Sequence, residues 1–141
     1  MTDKPHLAVE ANKKSIQYAM EGNKEAWLAL YTDDAVVADP AGKSPMDPAG
    51  NGHRGKAAIE QFWDTVIGQA NIEIRVDKRW TSGDYNCCVA QVATNDLGDG
   101  NFTDCDMLAV YEVNEAGLIT RMAAHWSFDD MMQQLTKLSA S

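Results

Sequence analysis

From residue 72 to residue 128 the chain consists almost wholly of strand-like runs. The stretches 72–81, 85–94, 102–113 and 118–128 carry β-branched and aromatic residues, and Ser82-Gly83-Asp84, Gly98-Asp99-Gly100 and Asn114-Glu115-Ala116-Gly117 divide them. Breaks that short join antiparallel neighbours and leave no room for crossover helices. The first half reads differently. Over 8–21 the apolar Val9, Ile16, Ala19 and Met20 recur near helical spacing, and Gly22-Asn23 closes the run as a C-cap does. A shorter helix is predicted over 24–31 and a short strand over 35–39. Pro40 to Gly52 is a loop dense in glycine and proline, of a length that is often functional.

A third helix is predicted over 55–68, with Ile59, Phe62, Trp63, Val66 and Ile67 on one stripe that needs a sheet to cover. A short helix over 129–138 completes the pattern. Helices first and a meander afterwards is an α+β arrangement, in which the helices, the third above all, lie on one face of a curved antiparallel sheet. A sheet curled in this way leaves an open mouth, the usual place for an apolar ligand. A single domain spans 1–141, since a chain of 141 residues, 45% hydrophobic, buries about 70% of its unfolded surface in one core.

Twenty-one acidic against twelve basic side chains give a net charge of -9, which argues against nucleic acid or an anionic membrane as partner. The N-terminal residues lack a basic start and an apolar run, and no stretch approaches the roughly 18 apolar residues of a membrane span. A cytoplasmic location is expected. Three cysteines, two of them adjacent at Cys87-Cys88, fit free thiols in a reducing compartment. The sequon Asn101-Phe102-Thr103 then has no consequence there.

Several motifs have bland readings. Gly50-Asn51-Gly52-His53-Arg54-Gly55-Lys56-Ala57 nearly spells a phosphate-binding loop, but Ala57 stands where a hydroxyl is needed and no buried strand precedes it. His6, His53 and His125 lie in different elements with no ligand at metal-binding spacing, so no metal is expected. There is no nucleophile elbow, and the cysteines have no evident histidine partner. Asp33 and Asp34 read as solvated turn acids. Asp39 has two readings: alternation places it with Ala35 and Val37 facing a cavity, while Asp before Pro40 is also a common turn residue. Phe62, Trp63 and Trp126 are flat apolar surfaces suited to a ring-bearing ligand, and Met122, Ala124 and Trp126 share a strand face.

The run Tyr31-Thr32-Asp33-Asp34-Ala35-Val36-Val37-Ala38-Asp39-Pro40 resembles the Tyr/Phe-x-Asp-Asp-Ala-x-x-x-Asp-Pro signature of ketosteroid isomerases, within the NTF2-like (SnoaL-like) superfamily. The break at Gly22, Gly55-x-Ala57-Ala58-Ile59 and Ala116-Gly117-Leu118-Ile119, followed by Met122 and Trp126, extend the resemblance over nearly the whole chain. After Pro40 the pattern looks most like the mycobacterial and other actinobacterial members. The resemblance implies an NTF2-like cone, a homodimer, no cofactor, and a small hydrophobic, steroid-like ligand. Asp39 would be the base of a proton shift on a polycyclic ketone, as in Δ5-3-ketosteroid isomerisation. The alternatives are a non-catalytic binding protein for such a ligand, or another reaction on the same base such as polyketide cyclisation.

In the family a tyrosine and a protonated aspartic acid donate hydrogen bonds to the oxyanion, a case often used to illustrate a carboxylic acid kept neutral. Ser15 and Ala109 stand at those two positions here. Tyr18, three residues on from Ser15, and Asp106, brought round by a bulge, are the expected substitutes. Ligand contacts are expected from Ser15, Tyr31, Phe62, Trp63, Met107, Met122 and Trp126.

Overall fold

The computed structural model of the protein describes residues 4–140. Helix α1 (Leu7–Glu21) ends at Gly22, whose left-handed φ of 71° lets its N–H and that of Asn23 turn back onto the last carbonyls. Helix α2 (Lys24–Leu28) is capped by the Asn23 side chain, which accepts from Ala26 N at 3.2 Å. It stops three residues earlier than the sequence suggests, because Tyr31 already pairs with Ile119 in the sheet.

Strand β1 (Tyr31–Ala38) is followed by the long loop and a two-residue strand β2 (His53–Arg54) that pairs back onto it. Helix α3 (Lys56–Phe62) runs on as one wide π turn (Trp63–Ile67), closed by Gly68 N donating to Trp63 O at 2.7 Å. The meander comprises β3 (Ile72–Ser82), β4 (Asn86–Gly98), β5 (Asn101–Val113) and β6 (Ile119–His125), and α4 (Phe128–Ala140) follows. Among the described residues these form one six-stranded sheet in the order β2-β1-β6-β5-β4-β3.

The architecture is α+β with a curved, open sheet. The meander is antiparallel throughout, but β1 lies parallel to β6, with Val36, Val37 and Ala38 opposite Arg121, Met122 and Ala123. Two expectations change. The helix across the inner face of the meander is α1, which packs on β3, β4 and β5, while α3 packs on β1 and β2. The apolar stripe of α3 thus meets the edge of the sheet and the α2 side chain Trp27, whose ring lies 5.1 Å from Trp63 and 4.8 Å from Tyr31.

The alternation expected of β1 is also absent. Ala35, Val36, Val37 and Ala38 are all buried, because the 40–52 loop folds back over the outer side of the strand. Gly52, at φ 83°, comes so close that a Cβ there would stand 2.6 Å from Val36 Cγ1. The Asp47 carboxylate fixes this approach by accepting from Gly52 N at 2.8 Å. Asp33 and Asp34 are exposed, where β1 bulges away from β6 between Tyr31 and Val36.

Candidate active site

Because β1 and β6 are parallel neighbours, their C-terminal ends emerge side by side. Asp39 follows β1 and Trp126 follows β6, and the Trp126 indole N–H donates to Asp39 Oδ1 at 2.5 Å. This resolves the two readings of Asp39: its carboxylate binds an indole and does not cap the turn. Burial pushes its pKa up to about 6, with the Trp126 hydrogen bond pulling the other way. At pH 7 such a group is mostly ionised yet basic enough to take a proton.

The carboxylate opens on a cavity of about 90 Å³ enclosed by α1, the π turn and the inner face of the meander. The wall is largely apolar, from Ile16 and Ala19 of α1, Ile67 of the π turn, and Ile72, Ile74, Met107 and Met122 of the sheet. Asp39 is its single charged residue.

The same cavity meets a cluster of hydroxyls. Ser15, buried on α1, accepts from Trp27 Nε1 at 3.3 Å and from Tyr111 Oη at 3.2 Å. A hydroxyl oxygen has two acceptor positions and one proton. With both positions filled, Ser15 has one proton left to give, and the Tyr31 hydroxyl beside it and a ligand in the cavity are the two acceptors open to it. Tyr111 is held neutral, its pKa raised first by burial, with Ser15 and Asn12 opposing the rise. Arg79 Nε donates to Asn12 Oδ1 at 2.9 Å behind it, which brings a guanidinium to the far end of the chain Arg79, Asn12, Tyr111, Ser15. The Asn12 amide nitrogen faces Tyr111 just outside hydrogen-bond geometry. Tyr31 is buried beside the cluster with its pKa well above 10, chiefly from burial and with Ser15 opposing the rise, although its Oη falls just outside hydrogen-bond geometry.

Of the residues expected from the sequence, Asp39, Ser15, Met107 and Met122 line this cavity, and Trp126 reaches it through Asp39. Tyr31 lies behind the wall against Trp27. Trp63 is core, and Phe62 faces a separate space of about 510 Å³ between α3 and the long loop. Neither oxyanion substitute is brought in. Tyr18 sits one turn on from Ser15 but rotated back by about 60°, away from the lining residues Ile16 and Ala19. Asp106 is exposed on the outer face of β5 beside Asp104, Ser127 and Asp130, since the strand is regular there and no bulge turns it inward.

Tyr111 and Gln91 were missed. Strand parity carried one step further from Met107 and Ala109 reaches Tyr111, and Gln91 is paired with Met107 across β4 and β5. Among the described residues no His, Cys, Asp or Glu cluster is placed to hold a metal ion.

The SnoaL-like domain matches residues 14–122, from the hydroxyl cluster on α1 to Met122 in the cavity wall. The chain belongs to the SnoaL-like family. Among solved structures it is similar to RV0760c from Mycobacterium tuberculosis, at 32% identity and a TM-score of 0.84 over 91% of this chain and 96% of that one. RV0760c in complex with estradiol-17beta-hemisuccinate gives a TM-score of 0.82. A Δ5-3-ketosteroid isomerase from Mycobacterium sp. matches at 32% identity and a TM-score of 0.82, over 89% of this chain and 96% of that one. A computationally designed 17-OHP binder matches at 30% identity and a TM-score of 0.81, over 89% and 95%. The SnoaL-like fold accounts for the open sheet, and this chain's own side chains account for the contents of the cavity.

Proposed function

We propose that this SnoaL-like protein binds a steroid-like polycyclic ketone and shifts a proton along it, with Asp39 as the base. The observation that carries the reading is a lone carboxylate, raised to about 6, sharing a small apolar cavity with a buried hydroxyl donor. The likeness to a ketosteroid isomerase and to a protein that holds a steroid supports the ligand class.

In this reading Asp39 takes a proton from the carbon next to the carbonyl, and the electron pair moves onto the carbonyl oxygen. The Ser15 proton, backed by Tyr111, meets the developing oxyanion. Asp39 then returns the same proton to the far end of the dienolate, and the double bond becomes conjugated. No cofactor enters this sequence.

The enclosed space is below the roughly 300 Å³ of ordinary ligand sites. A polycycle therefore enters by displacing side chains, which unbranched Met107 and Met122 are suited to allow. The test is conversion of a β,γ-unsaturated 3-ketosteroid to its conjugated isomer. Wild type should turn over, and Asp39→Asn should lose turnover while still binding a phenolic steroid. Equal background rates in both proteins would leave a ligand-binding function, which Ala109 at the second donor position favours. We also infer that copies pair through the outer face of the sheet, where Trp80, Phe102 and Leu108 are exposed; a monomeric mass by light scattering would refute this.

A further inference from the structure

One polar group in the cavity wall is idle in the proton shift. Gln91 on β4 is only 6% exposed and lines the cavity. Its Nε2 donates to Met107 Sδ at 3.3 Å, a weak acceptor, and its Oε1 has no partner at all. Natural interiors seldom leave an amide oxygen unpaired, because its lost water bonds are not replaced.

Gln91 also stands far from the reacting groups. In the sheet order β1-β6-β5-β4 it lies three strand spacings from the β1 end that carries Asp39, about 14 Å along the sheet and less across the hollow of the curve. Along β4 it is four residues from Cys87, the partner of Tyr111, or about 13 Å. The inner face between them carries Val89 and the small Ala109. A flat ligand of three or four fused rings held at Ser15 and Tyr111 is long enough to bring its far end to Gln91.

The geometry points to Gln91 as the residue that reads the far end of the ligand, its Oε1 accepting a hydrogen bond from a hydroxyl there. The ligand class is thereby narrowed to a polycycle with an enolisable ketone at one end and a hydroxyl at the other. This rests on the proton-shift reading of the same cavity, which supplies the orientation. A site with a buried group waiting for a hydroxyl discriminates strongly against the analogue that lacks it.

The probes are estradiol and its 17-deoxy analogue, which share the phenol that stands in for the enolate at Ser15 and differ only at the far end. Titrated by tryptophan emission, wild type should prefer estradiol by about tenfold or more, and Gln91→Met should bind the two alike. Ligand-free Gln91→Met should melt at or above the wild-type temperature, since a thioether of similar shape replaces an amide with an unpaired oxygen. Discrimination that survives in Gln91→Met overturns the inference. So does a lower melting temperature with both ligands weakened alike, which would make Gln91 structural. Equal wild-type affinities remove the role of Gln91 and leave the polycycle site standing. If wild type binds neither probe, the inference and the reading beneath it fall together.

Discussion

The indole of Trp126 and the carboxylate of Asp39 are joined by a hydrogen bond of 2.5 Å between the residues that follow two parallel strands. The bond engages Oδ1 and leaves Oδ2 for a substrate. It also opposes the burial that raises the Asp39 pKa to about 6. Removing the donor with Trp126→Phe should therefore move that pKa higher. The acid limb of the kcat/KM profile should shift to higher pH than in wild type, with the plateau less affected. An unmoved limb would mean that the limb belongs to another group.

The same shift makes Asp39 a burden on stability. A carboxyl whose folded pKa exceeds its unfolded value binds its proton more tightly when folded. Its stabilising contribution is thus complete below about pH 4 and is lost as pH rises through about 6. Asp39→Asn, which keeps an acceptor for Trp126, should be more stable than wild type at pH 7 by about 1 to 3 kcal/mol. The difference should vanish near pH 4. Urea unfolding at the two pH values checks both the sign and the window.

Ser15 should be the donor that matters to turnover. Ser15→Ala removes it and should lower kcat about a hundredfold, the usual consequence of losing one oxyanion donor. It also strands the Trp27 and Tyr111 donors, so a loss of about 1 to 3 kcal/mol in stability should accompany it. Tyr111→Phe should have a smaller effect on rate, about tenfold, because Ser15 keeps its proton and loses only a partner. Tyr18→Phe and Asp106→Asn, which lie outside the cavity, should leave kcat close to wild type.

Much of this site was legible in the sequence because it lies on regular elements. The four-run meander dictates a sheet, the turn residues between the runs dictate its antiparallel order, and the family resemblance of the Asp-Asp-Ala-x-x-x-Asp-Pro run singles out Asp39, which Asp-Pro alone leaves as a turn residue. What failed was long-range placement. Nothing local in the apolar stripe of α3 says that the sheet it covers is β1 and β2, so Phe62 and Trp63 could not be separated from the cavity residues. Tyr18 looked equivalent to Ser15 because three-residue spacing keeps a helix face only approximately, and the missing 60° decides which side of α1 meets the cavity. Tyr111 was within reach of strand parity. Its role depends on a partner 96 residues away, and the hydrogen bond to Ser15 is a property of the fold.

The size of the cavity yields the last prediction. At about 90 Å³ it is smaller than the roughly 150 Å³ that an engineered apolar cavity offers to benzene, so binding a polycycle requires its walls to yield. Met107 and Ile74 are half-buried wall residues on β5 and β3, and shortening either one removes volume that the ligand must otherwise displace. Met107→Ala and Ile74→Ala should each lower stability by about 1 to 2 kcal/mol, less than for a fully enclosed site, by the loss of packed methylenes. Both should nevertheless bind a phenolic steroid more tightly than wild type, by several-fold, because the work of opening is done in advance. Thermal melts and fluorescence titrations on the same samples separate the two effects. Weaker binding in both variants would mean that these side chains grip the ligand as it stands, and that a polycycle fits without displacement of the wall.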